Sequence, residues 1–222
     1  MENMSYLNFS KKWAGYLGRK TDLSREKEIV LTYIIELMAI TLINIICTLV
    51  LGLLLGVLPG TASCLFMIAL FRHTAGGAHS NSPWRCAVIT ILIFPLIALL
   101  AGILSLLANL YTDILSIILI LVGLVTIIRL APVDTSAAPI ISSSRRKDLK
   151  FSSVIVILIV AVVVFVLRQS TWIYAREIQL SLIIGVLWLC LILSKPGHRL
   201  IFWIDKLFSF KKEVGENEKI IT

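Results

Sequence analysis

The chain has 222 residues, of which 58% are hydrophobic and only 15% charged. Mean hydropathy is +0.95 and the formal net charge is +8. Soluble domains run nearer half apolar and a quarter charged, so this balance excludes an ordinary soluble enzyme and indicates an all-α, polytopic membrane protein. The bases fall between apolar runs rather than in an aromatic-rich basic module, which excludes a nucleic-acid partner.

Residues 1–28 read as a basic amphipathic segment with no signal-peptide pattern. Tyr6, Phe9, Trp13, Tyr16 and Leu17 recur there at helical spacing, beside Lys11, Lys12, Arg19 and Lys20. That pattern suits a helix lying on an anionic inner leaflet. An integral membrane domain is expected over 29–198. Its first apolar run, 29–58, is longer than a bilayer core of about 30 Å requires, so its first turns, with Glu36, extend into the headgroup region. Packing between helices, or an interfacial position, is expected for Glu36 and Asn44.

Pro59-Gly60 interrupts the pattern, and the next run, 61–71, is too short for a standard span. It either re-enters or borrows length from its flanks. Fuller spans follow at about 86–109, 113–130, 151–168 and 178–194, the first kinked at Pro95. A basic tail, 199–222, opens with the amphipathic stretch "RLIFWIDKLFSFKK".

Counting 61–71 as a crossing gives six spans with both termini on one side. Nineteen lysines and arginines then share that side, against Arg168 and Arg176 opposite. By the positive-inside rule the termini and the first polar loop are cytoplasmic in the cell membrane. The count itself argues that the short run crosses, or pairs with another partial segment.

That polar loop, "RHTAGGAHSNSPWRC" (72–86), gathers most of the chemistry. The other cysteines, Cys47, Cys64 and Cys190, lie within apolar runs and read as small packing residues. None of the four has CxxC or disulfide-like spacing. Ser82-Pro83 is a helix start, with serine as N-cap and proline at the first helical position. Cys86 then closes the first turn, where the helix dipole favours a thiolate, and Arg85 and Arg72 add positive charge nearby.

His79 can accept the thiol proton only if the chain doubles back. On one continuous helix, seven residues would hold the two side chains about 10 Å apart. Gly76-Gly77 can end the preceding helix, and Asn81-Ser82-Pro83 can make the return. A zinc site from His73, His79 and Cys86 is the competing reading, but no fourth ligand has recognisable spacing. The dyad is preferred and no metal is expected, because a cysteine at a helix start is tuned for nucleophilic attack.

The pattern Arg72-His73-x-x-Gly76-Gly77-x-His79, with Cys86 seven residues later, resembles the signature of the accessory gene regulator B (AgrB-like) family. Those are membrane cysteine endopeptidases that process quorum-sensing propeptides in Gram-positive bacteria. A second stretch, Ala131-Pro132-Val133-Asp134-Thr135 with Pro139 following, resembles the family's "APADT…P" loop. Length, basic start, span number and loop sidedness resemble the family as well. One departure concerns the positions between that Asp-Thr and the proline, where family members often carry lysines. Here they are Ser136, Ala137 and Ala138, and the basic cluster comes later, at Arg145, Arg146 and Lys147.

The resemblance implies that Cys86 attacks a propeptide carbonyl with His79 as general base. The acidic C-terminal tail leaves, a thioester forms on Cys86, and a thiolactone or lactone closes without a cofactor. Asn81 and Asp134 are candidates to orient His79, Pro132 shares the second loop, and first-turn N–H groups after Pro83 are candidate oxyanion donors. Arg72 binds a substrate carboxylate, holds the hairpin, or snorkels as an anchor. The expected partners are the propeptide and the lipid bilayer, and a homodimer is compatible with the sequence. The rival class is a small non-enzymatic transporter or scaffold, against which the scarcity of ionisable residues within the full spans counts.

Overall fold

The computed structural model describes residues 8–20, 24–78, 80, 82–134 and 140–206. Seven helices follow one another: α1 (Asn8–Lys20), α2 (Arg25–Leu54), α3 (Leu58–Thr74), α4 (Pro83–Leu104), α5 (Asn109–Leu130), α6 (Ser143–Gln169) and α7 (Ala175–Leu193). A further helical stretch, α8, covers 195–206. Among the described residues there is no strand, so the chain is all-α. In a bilayer core this is one of two ways to satisfy every backbone N–H and C=O internally.

Packing divides the chain within α2 into two compact units, residues 1–47 and 48–222. In the first unit, Ala14 is buried while Trp13 and Tyr16 are exposed, and the Lys20 ammonium lies 5.2 Å from the Tyr16 ring centroid. Aromatic and basic groups thus share the outer surface of α1, as a helix on an anionic leaflet requires. Glu36 is buried and partnered, in keeping with its expected packing role. Tyr6 lies outside the described residues.

The second unit is organised around α7, the most enclosed of the long helices, on which α3, α4, α5 and α6 all pack. Leu180, Ile183, Val186 and Leu189 are fully buried along it, against Cys64, Met67 and Phe71 of α3 and Ile127 of α5. The outward faces are apolar too. Ile117, Leu121 and Val125 of α5, and Leu158, Val162 and Phe165 of α6, stand exposed, as side chains whose solvent is lipid should. Hydroxyls within these helices return to their own backbone: Thr61 and Ser116 donate to Val57 O and Thr112 O at 2.9 and 2.7 Å.

Among the described residues five helices (α2, α4, α5, α6 and α7) are long and apolar enough to cross a membrane, which supports a multi-pass membrane protein. The short run 61–71 becomes α3 by borrowing length at both ends. Pro59 and Gly60 join its first turn, where proline's missing N–H costs nothing, and Arg72-His73-Thr74 extend its last. Its 17 residues give roughly 25 Å of rise.

α3 also lies beside α7 from end to end. Gly60 N–H donates to Glu177 Oε1 at 2.9 Å near the start of both helices, and Ala78 N–H, just past the end of α3, donates to Ile192 O in the last turn of α7 at 2.8 Å. The approach is close, since a Cβ on Gly60 would stand 2.7 Å from that carboxylate oxygen and 2.5 Å from Ser181 Oγ, and both side chains would have to shift. The short run is thus one continuous helix alongside α7. α4 runs through Pro95 as one helix.

The second unit therefore has two ends. At one, Arg168 Nε donates to Asp113 Oδ1 at 2.6 Å and Arg176 Nη1 to Asn109 Oδ1 at 2.6 Å. At the other meet the end of α3, the starts of α4 and α6, the segment after α5, and α8. The charge asymmetry of the sequence maps onto these ends: Arg168 and Arg176 at the first; Arg72, Arg85, Arg129 and the Arg145–Lys147 cluster at the second.

Candidate active site

The polar loop begins where α3 stops. Ala75 caps the helix, its N–H reaching Phe71 O at 2.6 Å. Gly76 (φ +72°) and Gly77 (φ +131°) then turn the chain out of helical geometry through backbone conformations that side chains rarely adopt. Gly76 forms an isolated β-bridge with Val133, in which Val133 N–H donates to Ala75 O at 2.9 Å. A Cβ on Gly76 would stand 2.5 Å from Val133 O, whereas one on Gly77 would meet Ile192 at an ordinary 3.5 Å. Gly76 is therefore the more demanding of the two. Its bridge also joins the two stretches singled out in the sequence, 72–86 and 131–134, by backbone contact.

From Ser82 onward the backbone follows the expected helix start. Ser82 is extended (φ −122°, ψ 127°), Pro83 opens α4, and Cys86 N–H donates to Ser82 O at 3.1 Å, closing the first turn at the cysteine. The expected capping chemistry differs. The Ser82 hydroxyl makes no capping bond, and its N–H instead donates to Ser80 Oγ at 3.2 Å. The loop is thus held by a side chain two residues earlier.

Cys86 is half-buried, and the Arg72 guanidinium points at it: Nη2 donates to Sγ at 3.1 Å. Arg72 is thus the positive charge that lies beside the thiol, in a contact additional to the three roles considered for it. Thr90 Oγ1 donates to the Cys86 carbonyl at 2.9 Å one turn on. Arg85, expected to add charge beside the thiol, donates to Asp205 of α8 through Nη1, at 3.0 Å to the carbonyl and 3.3 Å to Oδ1.

In the second loop Pro132 is buried, and Asp134 is exposed and pairs with Arg146 of α6. That ion pair ties the Asp134 loop to the basic cluster. The position of Asp134 relative to His79 is not described, because His79 and Asn81 lie outside the described residues, as do 135–139. All four cysteines are free thiols. Cys47, Cys64 and Cys190 sit well inside α2, α3 and α7, away from any helix start. Among the described residues, no three His, Cys, Asp or Glu side chains are grouped to hold a metal ion.

Sequence reasoning missed Asp205, the acid that Arg85 and Ser80 share. A signal was present: it is the only acid between Lys195 and Lys212, in a stretch otherwise basic or apolar. A buried acid amid bases has a partner to find.

These features define a class, a multi-pass helical membrane protein with an arginine-held thiol at a glycine-hinged hairpin. The chain belongs to the accessory gene regulator B family, AgrB, whose family model matches residues 10–193. It is 29% identical over 205 residues to AgrB-like protein 2 of Clostridium perfringens strain 13 / Type A, covering 89% of this chain and 95% of the relative. It is 27% identical over 209 residues to an AgrB-like protein of Clostridium perfringens strain SM101 / Type A, with the same coverage. No solved structure matches the chain. Family membership supports a role in the accessory gene regulator quorum-sensing system, where the family is known for peptidase activity in propeptide processing.

Proposed function

We propose that this chain is a membrane-embedded cysteine endopeptidase that removes the acidic C-terminal tail of a quorum-sensing propeptide and promotes its cyclisation. The observation that carries the reading is the 3.1 Å contact from Arg72 Nη2 to Cys86 Sγ in the first turn of α4. It gives one cysteine of four the environment a nucleophile needs: a cation, a helix N-terminus and partial access.

In the proposed reaction His79 takes the Cys86 proton as Sγ bonds to the scissile carbonyl carbon. First-turn N–H groups of α4 receive the developing oxyanion. The C–N bond then breaks, the proton passes to the departing amine, and the retained peptide is left as a thioester on Sγ. A cysteine thiol or serine hydroxyl within the bound peptide displaces Cys86, closing a thiolactone or lactone and returning the thiol. Shielding the thioester from water is the reason to build such a site at a membrane surface. The basic cluster at Arg145, Arg146 and Lys147, tied to the second loop through Asp134, suits an acidic tail. The excess of bases at this end of the helices supports a cytoplasmic site, with both termini on the same side.

The test is release of the C-terminal fragment by the full chain reconstituted in liposomes. Replacing Arg72 with Gln keeps a hydrogen-bond donor near Sγ but removes its charge. It is expected to slow fragment release by about ten- to a hundredfold, since hydrogen bonds to charged groups contribute about 1.5–3 kcal/mol. Alkylation of Cys86 by iodoacetamide at neutral pH is expected to slow in parallel. A parental rate in Arg72→Gln contradicts the role given to this contact.

A further inference from the structure

Asp205 lies 120 and 125 residues beyond the residues it holds, in a segment that sequence reading assigns to a basic tail. It is 6% exposed. Ser80 Oγ donates to its Oδ1 at 2.5 Å, and Arg85 Nη1 donates to the same oxygen at 3.3 Å and to its backbone carbonyl at 3.0 Å. Ser80 is also the acceptor for Ser82 N–H at 3.2 Å. One carboxylate thus closes a ring of contacts around the hairpin return, from the loop at residue 80 to the first turn of α4.

The placement of the two partners gives this ring its meaning. Ser80 immediately follows His79, and Arg85 immediately precedes Cys86. A restraint on Ser80 limits the backbone that carries His79, and a restraint on Arg85 limits the turn that carries Cys86. On its α3 side the hairpin is pinned by Val133 against Ala75 and Ile192 against Ala78, and Arg72 reaches across to Cys86. α8 is aligned for the task, since Ile201, four residues before Asp205, is also buried while Phe202 and Trp203 are exposed. One face of α8 therefore packs on the protein and the other is left for the membrane surface.

We propose that Asp205 is a positioning residue for the proposed peptidase reaction, tethering the His79 and Cys86 flanks of the hairpin through Ser80 and Arg85. It holds the relative placement of the two groups between which the proton must pass, where a displacement of about 1 Å is enough to cost a hundredfold in rate. The inference rests on the endopeptidase reading above.

The experiment measures steady-state propeptide cleavage by the full chain in liposomes, per membrane-inserted molecule, for Asp205→Ala, Ser80→Ala, their double mutant and Cys86→Ala. Exposed Lys206→Gln is the control and should cleave at the parental rate. Asp205→Ala is expected to lower kcat about tenfold or more with KM near parental, because the substrate surface is untouched while alignment is lost. Ser80→Ala, which removes one hydroxyl and leaves Arg85 in place, should lower kcat less. The double mutant should be no slower than Asp205→Ala, since the two residues act through one contact. A parental kcat in Asp205→Ala, a change confined to KM or to abundance, or additive losses in the double mutant overturns the tether. If those results come with a Cys86→Ala protein that is inactive, the endopeptidase reading stands and only the tether falls. Cleavage that survives in Cys86→Ala overturns the reading and the tether with it.

Discussion

Replacing Cys86 with Ala is expected to abolish propeptide cleavage, by on the order of 10⁴-fold or more, as deletion of a covalent nucleophile does. Alanine is smaller than cysteine and tolerated in the first turn of a helix, so α4 and membrane insertion should be unaffected. The same substitution at Cys47, Cys64 or Cys190 is expected to leave chemistry intact. Cys64 is the informative control. It is fully buried between α3 and α7, close enough to Gly185 that a Cβ there would stand 2.7 Å from its sulfur. Cys64→Ala should therefore cost stability through a small cavity while sparing the cleavage rate of the folded fraction. His79→Ala is expected to fall with Cys86→Ala, since the thiol then lacks its base. The measurement is fragment release against membrane-inserted protein. Cleavage persisting in Cys86→Ala, or lost equally in the three other cysteine variants, contradicts the assignment of the nucleophile.

Gly76→Val carries the second large effect. At φ +72° a β-branched residue is a backbone outlier, with a cost of about 1–2 kcal/mol for the left-handed conformation alone. Its Cβ would also meet the Val133 carbonyl at 2.5 Å, which is backbone and cannot swing away. The bridge between the two loops must open, and the hairpin loses its reference at the α3 end. Cleavage is expected to fall about a hundredfold. Gly77→Val also meets a positive φ, +131°, but its Cβ has room, so its loss should be smaller. Equal effects at the two glycines would show that backbone freedom, not the contact with Val133, is what matters.

Much of this architecture is legible in the sequence, because long apolar runs in a bilayer have few alternatives. The centres of α2, α4, α5, α6 and α7 fall where hydropathy places them. Their ends do not, for identifiable reasons. α6 begins at Ser143 rather than near 151, because Ser142 accepts a hydrogen bond from Arg145 N–H at 3.5 Å and the basic turn continues the helix beyond its apolar part. α2 starts at Arg25, with Glu26 and Glu28 in its first turn, where acids complement the helix dipole. α3 is longer than its apolar run because Pro59-Gly60 reads as a break, yet proline is welcome in a first turn and Gly60 admits the Glu177 cap.

The site divides in the same way. The hairpin and the thiol at a helix start follow from local residue chemistry, so Gly76, Gly77, Pro83 and Cys86 can be read in order along the chain. The partners brought from afar cannot. That Arg72 selects the sulfur, that Asp134 pairs with Arg146, and that Asp205 reaches back to Ser80 and Arg85 are consequences of helix packing. Net charge obscures the last of these, because one acid among the many charges of the tail vanishes into the sum.

The central claim is a covalent one, and the acyl-enzyme can be observed directly. A propeptide whose ring-closing cysteine or serine is replaced by Ala cannot discharge the thioester by cyclisation. The full chain in liposomes is mixed with this peptide, quenched in acid within a single turnover, and the mass of the fragment bearing Cys86 is measured. The expected result is an adduct equal to the N-terminal part of the propeptide, labile to hydroxylamine, formed as fast as the C-terminal tail is released and absent from Cys86→Ala. Tail release through a full turnover with the Cys86 fragment at its unmodified mass throughout would contradict nucleophilic catalysis by this cysteine.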